Sequence, residues 1–460
     1  MKHLYCIIAN SRDGRILLRS GAGGCELPRF DIRDPGSADT WDTSALRDIA
    51  AGHIGMDVCP VYAMEVTASG DSPLLAAFEC RSDEVRASGW KWAGPDEARS
   101  HLMDALELSL VDGHLASQKL CIDSGIVPWL RTGWLPEIET WTRDQLDERG
   151  IALTSGPEPV TSRFVGRVLQ METSIGRVYL KATPHVWCRE VAITQELAAW
   201  QPRHIRPPLA ADPIRGWMLT TEVNGPTLAE VTDLDVWEEA VRVYARIQRA
   251  SIPVIESGSL LSLFDWRPER LPAGIDRMMA ELDWLENGYE DALSAAEIKR
   301  LRSGAPRFKD MCLQVAGSGI PPALEHQDLH PGNVRIVDGA PVYLDWAWSS
   351  ITHPFLSLSL FVSPNRLPDK HPSAHARLVS AYFREWQDYG TVADLEVVSC
   401  LVHTWSVIQY AVTDADWLRS YFERLPPGPF PRHWYIEWVI QMRQYYRAKC
   451  LRRMLRLLSS

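Results

Sequence analysis

Between Leu324 and Trp346 the chain reads Leu-Glu-His-Gln-Asp-Leu-His-Pro-Gly-Asn-Val and then, after a short turn, Val-Tyr-Leu-Asp-Trp. His326, Asp328, Asn333 and Asp345 therefore fall in one hairpin-sized window. These residue types suit transfer of a phosphoryl group to a hydroxyl. One carboxylate accepts or orients the hydroxyl proton, while an amide oxygen and a second carboxylate hold Mg²⁺ against nucleotide phosphates. Asp328 is the candidate for the first role, Asn333 and Asp345 for the other two.

The same chemistry needs a cation on the phosphates, placed upstream on a strand and tied to a helix by an ion pair. In Arg177-Val-Tyr-Leu-Lys-Ala182, β-branched and aromatic residues flank Lys181, which predicts a strand. Glu190 then opens a run in which Ile193, Leu197 and Trp200 repeat at helical spacing. Glu190 is the natural partner for Lys181, with Glu196 as the rival.

The spacing His-x-Asp-x-x-x-x-Asn, followed by an Asp on the next strand, resembles the catalytic loop of the protein-kinase superfamily. It is most similar to the aminoglycoside phosphotransferase and choline kinase branch, whose members typically carry His-Gly-Asp-Leu-His-Pro-Gly-Asn and then Ile-Asp-Trp. The resemblance covers residues from about 150 to 460. It implies an α+β, bilobal protein-kinase-like phosphotransferase fold, with a small β-rich lobe over residues 151–225 and a large helical lobe over 226–460. By the same resemblance Asp328 and His326 are catalytic, His326 bracing the loop, and ATP or GTP with Mg²⁺ is the phosphate donor.

Other parts of the pattern fit less closely. Pro157 to Gly166 lies where a nucleotide loop belongs but lacks Gly-x-Gly-x-x-Gly. Thr161, Ser162 and Arg163 are the phosphate neighbours the branch implies there. Trp217 to Gly225 resembles the strand and hinge between lobes, where backbone groups of Thr221, Glu222 and Val223 would meet a nucleotide base. Gln327 stands where Gly is usual, Ser357 where a second Asp braces the loop, and Gln248 where relatives commonly place His.

Near the C-terminus, Trp405, Tyr410, Asp414 and Asp416 bring rings and carboxylates together on or next to one helix, a set able to hold a cationic acceptor. The segment Arg443 to Arg456 interleaves basic and apolar residues, as an amphipathic helix packed on its lobe does.

The N-terminal residues 1–120 follow another pattern. Leu4–Ala9, Arg15–Leu18, Glu26–Ile32, Val61–Val66 and Leu74–Cys80 read as short strands, with a helix from Ser44 to His53. The order, with Gly-Arg-Ile-Leu-Leu and Glu-Leu-Pro, resembles a Nudix-like α/β/α domain. Its metal-binding Glu pair would fall on Ala51 and Gly52, which cannot ligate a hard cation, so the resemblance implies a degenerate domain. Residues 121–150 form a Pro- and Trp-rich linker, with helical periodicity from Glu137 to Arg149. Trp129, Trp134 and Trp141 predict that this linker docks rather than swings.

At 460 residues two or three domains are expected. A net charge of −11 argues against a general nucleic-acid binder. The nine cysteines never form a Cys-x-x-Cys pair, which fits a reduced, cytoplasmic protein without a disulfide frame, and no membrane span is expected. The expected partners are a nucleoside triphosphate and a small hydroxyl acceptor. The alternative is a catalytically impaired, kinase-like nucleotide-binding or regulatory protein.

Overall fold

A computed structural model describes residues 2–21, 24–32, 43–66, 73–80, 88–163, 166–260, 262–285, 292–368, 372–424 and 447–458. It is a mixed α+β structure that divides into two compact units. The first comprises Met1–Cys188, Leu209–Glu222 and Tyr421–Met442; the second comprises Arg189–Pro208, Val223–Ser420 and Arg443–Ser460.

The first unit opens with β1 (Lys2–Asn10), β2 (Ile16–Gly21), β3 (Gly24–Glu26), β4 (Arg29–Ile32), α1 (Thr43–Ile54), β5 (Val58–Glu65), β6 (Leu74–Cys80) and β7 (Trp90–Ala93). These strands make one sheet in the order β3-β2-β1-β6-β5, with β4 on β1 and β7 on β2. The central pair β1 and β6 is parallel and buried along nearly its whole length, which suits the Ile- and Leu-rich runs. The single strand expected over 26–32 is broken at Leu27 and Pro28. Pro28 has no N–H for a ladder, and Leu27 N–H turns instead to Glu107 Oε2 at 3.1 Å.

Two helices follow, α2 (Pro95–His101) and α3 (Ala105–Ser124), and then the linker helix α4 (Trp134–Asp147). α4 starts earlier than its periodicity suggests, directly after Gly133, whose φ of 85° is a left-handed turn that glycine takes without steric cost. The linker is docked as expected. Trp129 and Trp134 are buried edge to face, and Trp141 meets Trp217 at 5.5 Å.

A second sheet in the same unit contains β8 (Glu158–Arg163), β9 (Gly166–Thr173), β10 (Gly176–Ala182), β11 (Ala210–Asp212) and β12 (Trp217–Thr221), all antiparallel in the order β11-β12-β10-β9-β8. Arg167 of β9 joins it to the first sheet. β5 bulges between Pro60 and Tyr62, which frees carbonyls from its ladder. The buried Arg167 guanidinium donates to the carbonyls of Pro60 and Val61 and to Cys59 Sγ.

The second unit is mainly helical. It holds α5 (Arg189–Trp200), α6 (Leu234–Glu256), β13 (Phe264–Asp265), α7 (Leu271–Leu285), α8 (Ala295–Ala316), β14 (Ala323–Glu325), β15 (Val334–Val337), β16 (Ala340–Tyr343), β17 (Ser350–Thr352), α9 (Leu358–Phe361), α10 (Pro372–Arg384) and α11 (Val392–Phe422). β14 and β13 flank β17, and β15 and β16 form a hairpin. Gly225 crosses this hairpin so closely that a Cβ would strike the Ile336 carbonyl oxygen. Of the expected C-terminal helix, residues 447–457 are helical, with Leu451 and Met454 buried, while 443–446 lie outside the described residues.

Candidate active site

The loop from Glu325 to Asn333 leaves β14 and returns into β15. Its first feature is Gln327, whose φ of 64° is left-handed and costs a side-chain-bearing residue about 1–2 kcal/mol. Glycine would sit there without that cost. Gln327 is instead held by its side chain, which donates to Ser350 Oγ and accepts from Gln409 Nε2 at 3.2 Å, while Gln409 accepts from Thr352.

His326 is fully buried. Its Nε2–H donates to the Leu344 carbonyl at 2.9 Å and its ring packs on Trp346 at 4.6 Å. Burial lowers its pKa against the pull of Leu344, Asp345 and Asp328, so a neutral ring acts as a strut between the loop and the residue before Asp345. Leu344 N–H also bonds the Asn333 carbonyl at 2.9 Å. Loop and hairpin are thus stitched at both ends.

Asn333 Nδ2 donates to the Asp328 carbonyl at 3.0 Å, which leaves Oδ1 as its acceptor. Asp328 and Asn333 are half-buried, and Asp345 is exposed at φ 64°. The Asp328 pKa is raised chiefly by burial; His326, His330 and Arg366 oppose this, and the charge of Asp345 adds to it. The two carboxylates therefore share one electrostatic environment on an open side of the unit. An amide oxygen and a carboxylate are hard donors that fit Mg²⁺, whose remaining ligands come from phosphate and water. Among the described residues no group of three or more His, Cys, Asp or Glu is placed to hold a metal without such help.

Beneath the loop lies a group that motif spacing did not reveal. Glu325 is fully buried and accepts from Tyr244 Oη at 3.0 Å, Gln248 Nε2 at 3.1 Å and Gln327 N at 3.2 Å. Tyr244 Oη also accepts from His326 N–H. Gln248 donates its second N–H to the Pro354 carbonyl and accepts from Tyr382 Oη, so both its N–H groups and its carbonyl oxygen are engaged. Ser357 is buried beside the same carboxylate. The one available signal was a charged residue closing the otherwise apolar strand Ala323-Leu324.

Of the other expected residues in this unit, Glu190 lies buried in the first turn of α5. Glu196 accepts from Ser262 Oγ at 2.7 Å and from its N–H at 3.2 Å. Val223 is half-buried at the start of the segment leading to Gly225. On α11, Trp405 is fully buried with its Nε1–H on Cys312 Sγ at 3.2 Å, so it belongs to the core and has no open ring face. Tyr410 lies near the loop: burial raises its pKa, and the charges of Glu325 and Asp328 add to this. Asp416 is paired with Arg419 at 2.7 Å, and Asp414 is half-buried. By length and composition Val392–Ser420 is also apolar enough to cross a membrane, although its Trp405, Ile408 and Val412 are buried inside the unit.

In the first unit, Lys181 sits on β10 opposite Val168 and Met218, as the strand expectation required. Thr161 is half-buried on β8, just past a bulge after Pro159; the side chains of Ser162 and Arg163 lie outside the described set. Thr221 ends β12, exposed. Glu222 N–H bonds the Arg177 carbonyl at 3.0 Å, and its carboxylate meets Tyr179 Oη and Arg177.

Comparison with known proteins follows the same line. Residues 185–395 match the family model described as the phosphotransferase enzyme family. Three solved structures resemble the chain. A macrolide 2'-phosphotransferase type I is 13% identical, with 63% of this chain and 97% of that one covered and a TM-score of 0.41. The choline kinase of Cryptosporidium parvum Iowa II is 11% identical, with 70% and 96% covered and a TM-score of 0.45. A spectinomycin phosphotransferase, solved with ADP and spectinomycin, is 12% identical, with 68% and 97% covered and a TM-score of 0.42. No curated protein sequence matches. Over residues 185–395 the chain is thus similar to the phosphotransferase enzyme family.

Proposed function

We propose that this protein transfers the γ-phosphoryl group of ATP, or of GTP, to a hydroxyl of a small polar molecule. The observation that carries this reading is the gathering of Asp328, Asn333 and Asp345 on one stitched loop and hairpin, half-buried or open to solvent. Asp328 accepts or orients the acceptor's hydroxyl proton, and its raised pKa places it nearer the working range of a base. Asn333 Oδ1 and the Asp345 carboxylate would hold Mg²⁺, which when bound neutralises charge on the transferring phosphate. His326 fixes the loop against Leu344, the residue before Asp345. Lys181 supplies the cation toward the phosphates, with Glu190 or Glu196 as the carboxylate that the resemblance assigns to it. Thr161, Ser162 and Arg163 flank the phosphates, and the backbone of Thr221 to Val223 meets the base. Tyr410, through its proximity to Asp328, and Asp414 face the acceptor.

Asp328→Asn tests the assignment. The expected result is Mg-ATP affinity within about twofold of wild type by calorimetry and turnover lowered by about 10²–10⁴-fold on an acceptor found by screening hydroxylated metabolites. Near wild-type turnover of the variant would remove Asp328 from the chemistry.

A further inference from the structure

We propose that Glu325 is the positioning residue of the catalytic loop, holding the direction of Asp328 through the left-handed turn at Gln327. This rests on the phosphotransferase reading for its kinetic consequence, though not for its structural one.

Three donors converge on the buried carboxylate from separate places: a tyrosine hydroxyl and a glutamine amide on α6, and the backbone N–H of Gln327. The last of these fixes the residue that precedes Asp328. Tyr244 works twice, donating to Glu325 Oε1 and accepting from His326 N–H, so Glu325 and His326 are tied to one anchor on α6. The loop must be held in this way because Gln327 takes a backbone conformation that a side-chain-bearing residue disfavours. An acceptor aimed at the Gln327 N–H makes that conformation the one in which a buried donor is satisfied. Pro354, on the far side of Gln248, and Tyr382 of α10 complete the support. Glu325 acts on Asp328 through the N–H of the residue just before it.

The experiment uses the full chain and two substitutions, Glu325→Gln, which keeps the volume, and Tyr244→Phe, which removes one donor and the acceptor of His326 N–H. Amide hydrogen exchange is followed by mass spectrometry on peptides spanning 324–333, with α8 as an internal control. The expected result is exchange at least tenfold faster in the loop and within twofold in α8 for both variants. In parallel, phosphate release from Mg-ATP with water as acceptor is expected to show kcat at least tenfold lower and KM for Mg-ATP within twofold. A loop that exchanges at the wild-type rate in Glu325→Gln overturns the inference, as does a variant kcat equal to that of a wild type that turns over. If the wild type binds no Mg-ATP, the phosphotransferase reading fails instead, and loop exchange alone decides the role of Glu325.

Discussion

Glu79 in the first unit and Glu325 in the second are both strand glutamates buried by more than nine-tenths, and burial pushes both up to about 7. Their surroundings differ. Glu79 has guanidinium groups nearby, Arg167 chief among them, and its Oε1 accepts from Gly133 N–H at the start of α4 while Oε2 makes no hydrogen bond. Around Glu325 stand hydroxyls and amides, each donating to it. One carboxylate is compensated by charge, the other by directed hydrogen bonds. A charge fixes a neighbour loosely in distance, whereas three donors fix a direction, and direction is what a base needs. Glu79 accordingly secures the docked linker, and Glu325 the catalytic loop.

The largest expected effect comes from removing the charge. Arg167→Met strips Glu79 of its main cation and leaves the carbonyls of the β5 bulge unbonded, which is expected to cost about 3–5 kcal/mol. Urea denaturation measures it. Adding Glu79→Gln should recover part of the loss, because no uncompensated charge then remains; a double variant no more stable than the single one breaks the comparison.

Next in size is pH dependence. Each carboxyl binds its proton more tightly folded than unfolded, so its stabilising contribution is present below about pH 4.5 and is lost as pH rises toward about 7. At 1.36 kcal/mol per pKa unit the loss reaches about 3 kcal/mol per site above that window. Glu79→Gln should therefore gain stability relative to wild type between pH 5 and pH 8. Glu325→Gln carries the same pH trend offset downward, since an amide cannot accept from all three donors. Paired Tm series at the two pH values separate slope from offset, and equal offsets for both variants would mean that hydrogen bonds do not distinguish the two sites.

What the sequence makes legible is what lies close together along the chain. His326, Asp328, Asn333 and Asp345 sit within twenty residues, and their spacing alone puts them on one loop and hairpin. The strands of the first sheet and α1 were visible through their apolar runs. α3 is not legible, because Leu106, Leu108 and Leu110 alternate as in a strand and no clear helical stripe emerges. Trp405 lies in the core and not in an acceptor set: an aromatic on a helix looks the same in sequence whether it lines a pocket or fills a core, and its burial and contact with Cys312 decide. The support under the loop was hidden for a different reason. Glu325 reads as an ordinary strand residue until Tyr244 and Gln248, some eighty residues earlier, are brought beneath it. Pairings over such separations leave no local periodicity.

The smallest effect is the most discriminating. Gln327→Gly relieves a left-handed φ worth about 1–2 kcal/mol and gives up two side-chain hydrogen bonds worth about 1 kcal/mol each, so its net change in stability should lie within about 1 kcal/mol of zero. The backbone N–H that Glu325 accepts is untouched by this substitution. If Glu325 sets the loop, Gln327→Gly should keep slow exchange over residues 324–333 while Glu325→Gln loses it, although both alter the same turn. Should the glycine variant exchange as fast as Glu325→Gln, the turn is held by the Gln327 amide and its link to Gln409. Asp328 would then be positioned from α11, the helix that also carries Tyr410, rather than from α6 below.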